Sequence, residues 1–319
     1  MLRVAFDTLL GQLVDLSPQQ RAALLDAVRS IGCQDEVVAT IELARAPLLA
    51  CPRCACSEHW RHGRANGLQR FRCRRCARTY NALSGTPMAR LRHKAKWLDY
   101  CATMLEPATT VRHAAESVSV HKNTSFRWRH RLLTWVRHDR QLPLRGIVEA
   151  DEMFFLESEK GARALTRAPR KRGGVASKRG ISGQQVCVLV ERDRSGRTHD
   201  AVTGKGQLTK AQLVRHLAPV LEPDVLLMTD GHAAYRQFAS AAGIRHEFVN
   251  LRAGVRVRGA VHIQNVNGYH NRLRAWMHHF RGVATRYLGN YCGWRWAIDL
   301  QRIKDSAAML RSAIGVFNS

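Results

Sequence analysis

Two aspartates fall where a carboxylate needs an explanation. Asp151 lies in GIVEADEMFF (146–155), where Ile147, Val148, Phe154 and Phe155 mark a buried strand. A carboxylate set among such residues needs a partner. Asp230 ends VLLMTD (225–230), a short, almost wholly apolar run that reads as another buried strand, and Gly231 opens the helix after it. Ligands of open α/β sheets gather at strand ends. If the two strands are neighbours, the carboxylates converge, and they repel unless a cation sits between them. Oxygen donors with no His or Cys among them favour Mg²⁺ or Mn²⁺.

A third group comes from HIQNVNGYHNRLRAWMHHF (262–280). Asn267, His270, Asn271 and Arg274 recur at i, i+3, i+4 and i+7, while Val266, Tyr269, Leu273, Met277 and Phe280 fall on another side. A helix that lays its apolar side on the sheet would aim Asn267 at the two carboxylates, and its amide oxygen is a hard, neutral ligand. The other reading is a polar face turned to water. Glu149 and Glu152 flank Asp151 and read as neighbours of the site in preference to ligands.

The cysteines carry a second chemistry. Cys51 and Cys54 form one C-x-x-C and Cys73 and Cys76 another, with 18 residues between the pairs. Each pair wraps one edge of a tetrahedral zinc ion, and the residues between return the chain as a hairpin. Four thiolates close the site, so the expected role is structural. Arg53, Arg61, Arg64, Arg70, Arg72, Arg74 and Arg75 surround it, as in a ribbon that touches phosphates. The other five cysteines, Cys33, Cys56, Cys101, Cys187 and Cys292, read as small buried hydrophobes.

These groups sit in a basic chain of 319 residues. Fifty-one Lys and Arg against 25 Asp and Glu give a net charge of +26, with a pI near 10.9. Such an excess repels itself unless a polyanion is at hand, and release of counterions from nucleic acid drives that binding. Arg outnumbers Lys, which suits bidentate contacts to phosphates and guanine edges. Hydrophobic content of 45% fits a globular protein. No run of 18 apolar residues appears, so no membrane span is expected. The N-terminus lacks a secretory pattern, so a cytoplasmic, nucleoid-associated protein is expected.

The elements that must hold these groups follow from period and punctuation. Residues 1–48 read as a helical segment, with SPQQRAALLDAVRSIG capped at Ser17 and closed at Gly32. Residues 49–90 read as the zinc ribbon and 91–142 as a helical DNA-binding domain. Within the latter, TVRHAAESVSVHKNTSFRWRHRLLTWV has a helix-turn-helix rhythm. Ala114 and Ala115 are small where helices cross, Ser119 marks the turn, and His121 or Ser119 caps the second helix. Trp128, Leu132 and Trp135 pack inward. That leaves Lys122, Asn123, Arg127 and His130 to reach a DNA groove; an ordinary helical pair is the alternative.

From residue 143 the pattern becomes α/β: three strands, then helix, strand, helix, strand and helix. The connection between the first two strands, ESEKGARALTRAPRKRGGVASKRGISG (157–183), is a long basic hairpin loop read as a DNA-contacting flap.

The order Asp151, Asp230 and a helical Asn267, with 36 residues between the last two, resembles the DDE transposases. The chain is similar in particular to the bacterial insertion-sequence 1595 family, whose members join a helical N-terminus, a zinc ribbon and a helix-turn-helix-like region to a catalytic core. FRCRRCARTYNALSGTPM, VEADEMFF, LLMTDGHAAY and HIQNVNGYHNRLR carry the resemblance across most of the chain. It implies a ribonuclease-H-like core over residues 143–319. In the family a basic residue follows seven places after the third ligand, and Arg274 stands there. Many DDE enzymes have Glu where this chain has Asn267, which removes one negative charge.

The resemblance further implies a transposase that binds double-stranded DNA at transposon ends and at the target, acting as at least a dimer. Its two steps are hydrolysis at each end and attack of the freed 3′-hydroxyl on target DNA. Two metal ions suit such in-line displacements. A DNA-binding regulator with an inactive core, and a nuclease that cuts without joining, are the competing readings.

Overall fold

The computed structural model describes residues 3–139, 143–170, 174–249, 254 and 257–317. The N-terminal segment holds α1 (Arg3–Gly11) and α2 (Pro18–Arg45). Ser17 caps α2 through a reciprocal pair with Gln20, and Pro18 opens its first turn. The expected stop at Gly32 does not occur, and α2 runs 28 residues. The reason is that Val37, Val38 and Ile41 continue the apolar stripe and are buried, so tertiary packing carries the helix through its glycine.

The ribbon is a three-stranded antiparallel sheet: β1 (His59–Ala65), β2 (Leu68–Cys73) and β3 (Thr79–Asn81), in the order β1-β2-β3. Next come α3 (Trp97–Leu105), α4 (Val111–Ser117) and α5 (Lys122–Val136).

The larger sheet has five strands. β4 (Ile147–Leu156), β5 (Gln185–Asp193) and β6 (Thr198–Lys205) form an antiparallel meander. β7 (Leu226–Thr229) and β8 (Arg245–Phe248) add parallel on the other side of β4. The order is β6-β5-β4-β7-β8, so β4 lies at the centre with an antiparallel neighbour and a parallel one. The expected neighbourhood of the first and fourth strands is therefore present.

α6 (Lys210–His216) and α7 (Ala233–Ala242) cover one face, where Val148, Ala150, Leu189, Leu227 and Tyr235 form a core. α8 (Gln264–His278), α9 (Leu288–Asp299) and α10 (Ser306–Ala313) gather on the opposite face. Alternation along β4 sends Val148, Ala150 and Glu152 toward the first face and Glu149, Asp151 and Met153 toward the second.

The second face does not stop at the sheet. One continuous core joins Met153, Val188, Leu273 and Trp294 to Trp97, Trp128 and Met309, and reaches Val37 and Ile41 on α2. The helices α3–α5 are thus packed onto the sheet's own helices. Trp294 donates its indole N–H to the carbonyl of Met104 (3.1 Å). Gly293 lets α9 pass over the chain just after α5: a Cβ there would lie 2.5 Å from the Cα of Arg137. Among the described residues, no helix is long and apolar enough to cross a membrane.

Candidate functional site

β4 and β7 bring the two aspartates together. Their paired residues are Ile147 with Leu226, Val148 with Leu227 and Glu149 with Met228. Carried two residues further, the same register sets Asp151 beside Asp230 on one face, where β7 has just ended. Asp230 is near enough for its charge to raise the Asp151 carboxyl. Gly231 follows with φ +81°, and a Cβ there would meet the ring of Phe248 at 2.6 Å. The chain turns sharply at that point, and the backbone N–H of His232 donates to Asp230 (2.9 Å). Burial pushes the Asp151 carboxyl up to about 8, with the charges of Glu152 and Asp230 adding to it and Arg274 opposing it.

Neither flanking glutamate shares that position. Glu152 points to the α7 face and accepts from the Tyr235 hydroxyl (2.8 Å). Glu149 is fully buried and holds the first turn of α8. It accepts from the backbone N–H groups of Asn265 (2.8 Å) and Val266 (3.0 Å), and from the Asn265 amide (2.9 Å). Arg194 and His262 complete its surroundings at 3.2 and 3.3 Å. A carboxylate at a helix N-terminus meets both orphan N–H donors and the positive end of the dipole. One residue separates Glu149 from Asp151 and one separates Asn265 from Asn267, so this contact sets the third element against the first.

α8 buries Val266, Tyr269, Leu273, Trp276 and Met277. Its other side carries Asn267, His270 and Arg274. His270 is buried, with Nδ1 3.7 Å from Asp151. Burial, helped by the charge of Arg274, pulls its imidazole down to about 4, so it is neutral at pH 7. Arg274 is exposed and near enough to favour the ionised form of Asp151. Asn267 is exposed one turn before His270. Two residues of that polar face, His270 and Arg274, lie near Asp151, and His270 makes the closest described approach. Sequence reasoning placed His270 on that face without assigning it to the site. Its step of four to Arg274 was the available signal. Among the described residues, no third Asp, Glu, His or Cys joins Asp151 and Asp230 in a compact metal-binding group.

The four ribbon cysteines meet the geometric test for zinc. Their Sγ atoms all lie within 4.8 Å of one another. The backbone N–H of Cys76, with burial opposing and that of Arg75 assisting, draws the Cys73 thiol down to about 6, while burial and the neighbouring thiols push that of Cys54 up to about 12, so the four thiols share their protons as one cluster. Phe71, His59 and Tyr80 pack beside it. Arg53, Arg61, Arg64, Arg72, Arg74 and Arg75 are exposed around it, and Arg70 is half-buried. Of the remaining cysteines, Cys101, Cys187 and Cys292 are buried as expected. Cys33 and Cys56 are only half-buried, a correction.

α4 and α5 meet through the buried Ala114 and Ala115. Ser119 takes φ +50° in the turn, and the His121 ring caps α5 by accepting from Asn123 N–H. Lys122, Asn123 and Arg127 are exposed. His130 is not free to reach outward. Its ring stacks on Tyr287, with centroids 3.6 Å apart, and burial pulls it down to about 4. A shallow cavity of about 460 Å³ lies there, lined by Asn123, Arg127, His130 and Tyr287 among others. α9 and the turn before it cover that side of α5, which no local pattern in α5 could reveal.

The loop 157–183 joins β4 to β5 as a hairpin connection, as expected; its residues 171–173 lie outside the described residues. Ser158 and Thr285 exchange two hydrogen bonds, and Lys160 donates to the carbonyl of Gly282. A cavity of about 970 Å³ opens between this loop and the end of α8, with Arg167, Arg170, His278 and Arg281 in its wall.

The chain is similar to several known proteins. Residues 143–296 match the family model of the ISXO2-like transposase domain. An uncharacterized protein in transposable element ISH50 of Halobacterium salinarum is 28% identical over 246 residues, 76% of this chain and 82% of that protein. A pre-cleavage Mos1 transpososome aligns over 65% of this chain and 71% of its own at 15% identity and TM-score 0.26. The Mos1 strand transfer complex aligns over 65% and 70% at 17% identity and TM-score 0.27. At those scores the structural likeness is too slight to bear on fold or mechanism.

Proposed function

Residues 143–296 belong to the ISXO2-like transposase domain family, and from that premise we propose that the chain is a transposase which cuts DNA at the ends of its element and joins them to a target. The observation that supports this reading is the parallel pairing of β4 with β7, with the charge of Asp230 near enough to raise the Asp151 carboxyl. We read the order β6-β5-β4-β7-β8 as the ribonuclease-H-like arrangement.

The donor set suits hard cations. Two carboxylates and the Asn267 amide offer oxygen alone, and the Asp151 carboxyl, raised first by burial and then by the charges of Glu152 and Asp230, is a group that a cation would favour in its ionised form. Asp151 and Asp230 would hold Mg²⁺ or Mn²⁺, with Asn267 as the neutral third donor. When bound, the cation polarises the scissile phosphate and eases ionisation of the attacking oxygen. Asp151 accepts charge in place and keeps its position because β4 is central. Glu149 fixes the angle of α8. His270, neutral at pH 7, fills the space behind Asp151 without adding charge. Arg274, exposed on the same helix, holds a phosphate of the bound strand.

In the first step water attacks an end phosphodiester in line, and the departing oxygen becomes the 3′-hydroxyl. In the second that hydroxyl attacks a target phosphate, and one target ester bond breaks as one forms. Four thiolates suit a structural zinc in the ribbon. The exposed Lys122, Asn123 and Arg127 and the ribbon arginines supply contacts to double-stranded DNA, in a helix-turn-helix reading of α4 and α5. The expected units at 1–48, 49–90, 91–142 and 143–319 serve as arm, ribbon, DNA-binding helices and catalyst.

The test is incubation of the zinc-loaded chain with labelled element-end DNA and Mg²⁺, scored for nicking and strand transfer. Asp230→Asn should lower both by at least about 10³-fold, on the scale of removing catalytic charge stabilisation, while end binding stays within about twofold. Equal loss of binding and cutting would make Asp230 a folding residue and remove the central observation.

A further inference from the structure

Lys94 is buried without an opposite charge. It opens the turn Lys94–Lys96 that leads into α3, and only 8% of it is exposed. Met88 and Trp97, on either side of it in sequence, are buried in one core with Val37 and Val38 of α2, which fixes the depth of the turn. Among the described residues Lys94 has no hydrogen-bond or ion-pair partner. Its ammonium lies 6.0 Å from the centre of the Trp97 ring, the outer limit of a cation–π contact. Other cations nearby or at similar depth are matched. Lys96 donates to the carbonyl of Ser119 (2.9 Å), and Arg192 and Arg302 meet Asp299 (3.2 Å) and Asp139 (3.1 Å). A charge taken out of water without a partner is costly, and burial draws the Lys94 ammonium below the usual lysine range.

The lysine lines a cavity of about 1250 Å³ between α2, the ribbon and residues 83–94. Gln34 of α2 and Asn81 of β3 bring amides to its wall, and Arg90, Arg92 and His93 stand in it beside Lys94. Those three are exposed and form the rim. Among the described residues no Asp or Glu lines the cavity, so its formal charge of +3 from Lys94, Arg90 and Arg92 is unbalanced. Arg90 and His93 take φ +63° and +60°, conformations that residues with a Cβ seldom adopt and that gather at ligand sites.

A phosphate group answers these features together. Its oxygens accept from an ammonium, guanidiniums and amides at once, and an Arg fork matches them bidentately. The cavity exceeds the ~300–1,000 Å³ of common small-ligand clefts, which leaves room for a phosphate with its sugars. We propose that this cleft is a phosphate-binding site, with Lys94 as the buried cation and Arg90 and Arg92 at the rim. It is separate from the DNA contacts assigned above to α5, Arg274 and the ribbon arginines. A DNA strand as the source of the phosphate rests on the transposase reading; the site itself does not.

The experiment has two arms, both on the full zinc-loaded chain without Mg²⁺. The first measures affinity for labelled duplex DNA across a salt series. Lys94→Met keeps the length of the stem and should weaken binding about tenfold, the scale of a lost charged hydrogen bond, and make the salt slope shallower by about 0.9, one phosphate's share. The second compares thermal melts in chloride and in about 50 mM inorganic phosphate at equal ionic strength. Phosphate should raise the midpoint of the unaltered protein by about 2 °C or more and that of Lys94→Met by none. In chloride, Lys94→Met should be no less stable than the unaltered protein, because it removes an unmatched buried charge. Asn81→Asp decides the matter if that variant fails to fold. It keeps the oxygen that accepts from Leu83 N–H (3.0 Å) and the Ser84 hydroxyl (3.3 Å), sets a carboxylate in the wall, and should weaken both responses. Losses in the DNA arm assign the site to a strand, and losses in the phosphate arm alone assign it to free phosphate. No loss in either arm overturns the proposal, as does a phosphate gain that persists in both variants. Weaker DNA binding with an unchanged salt slope and no phosphate effect also overturns it, by making Lys94 a packing residue. A chain that cuts no DNA can still pass the phosphate arm, so failure of the transposase reading is read separately.

Discussion

Asp151 is ionised at a cost while no cation is bound. Its folded value near 8 stands above the 3.8 of a free aspartate, mainly through burial. The folded state therefore holds a proton that the unfolded chain has given up. The associated stability is fully present below about pH 4 and is lost as pH rises through 8. Asp151→Asn, always neutral, should thus stabilise the zinc-loaded, Mg²⁺-free protein, and more at pH 8 than at pH 5. The ceiling is about 1.4 kcal/mol per unit, reduced because the side chain is 19% exposed. Thermal melts of both proteins at the two pH values measure it; an equal gain at both would mean that Asp151 is not the group being titrated. The aspartates were legible because each carboxylate interrupts an apolar run. The parts played by Glu149 and His270 were not. Glu149 meets α8 across 116 positions of chain, and nothing in either local pattern records that contact.

Elements behave as local signals say until packing overrules them. Ser17 and Gln20 start α2 as a capping box should, whereas Gly32 fails to stop it because Val37, Val38 and Ile41 gain more by burial than the glycine costs. The helix pair of α4 and α5 has its turn and cap where the residue types put them, but His130 is claimed by Tyr287 on a distant segment. The ribbon depends on its ion in a different way. β1–β3 bury only Leu68, Cys73 and Tyr80, too little apolar surface to order three strands alone. Cys54→Ser should therefore release zinc and loosen β1–β3, while the helical and sheet cores persist. Metal content and DNA affinity should fall together; a folded, zinc-free variant that binds DNA at full strength would remove the ribbon from recognition.

The whole molecule is a basic body with one core that runs from α2 through α3–α5 to the sheet and another on the sheet's other face, and its residues 3–32 carry no net charge. If phosphates are its partners, affinity should fall steeply with salt. Six to ten contacts predict roughly a 10³- to 10⁵-fold loss between about 50 and 200 mM, measurable by fluorescence anisotropy with duplex DNA. A flat response would mean that the +26 charge serves something other than the phosphate backbone. Composition, spacing and period by themselves determined the charge, the cysteine knuckles, the strand and helix order and the two aspartates. Each of these depends on residue type or on neighbours within a turn or two. Only the tertiary structure decided that β4 lies between β5 and β7, that Glu149 anchors α8, that α3–α5 share a core with α8–α10, and that half of α2 is left without a partner. Those outcomes depend on which surfaces meet after the chain has crossed a hundred residues or more, and that information is spread over all the contacting segments and present in none of them alone.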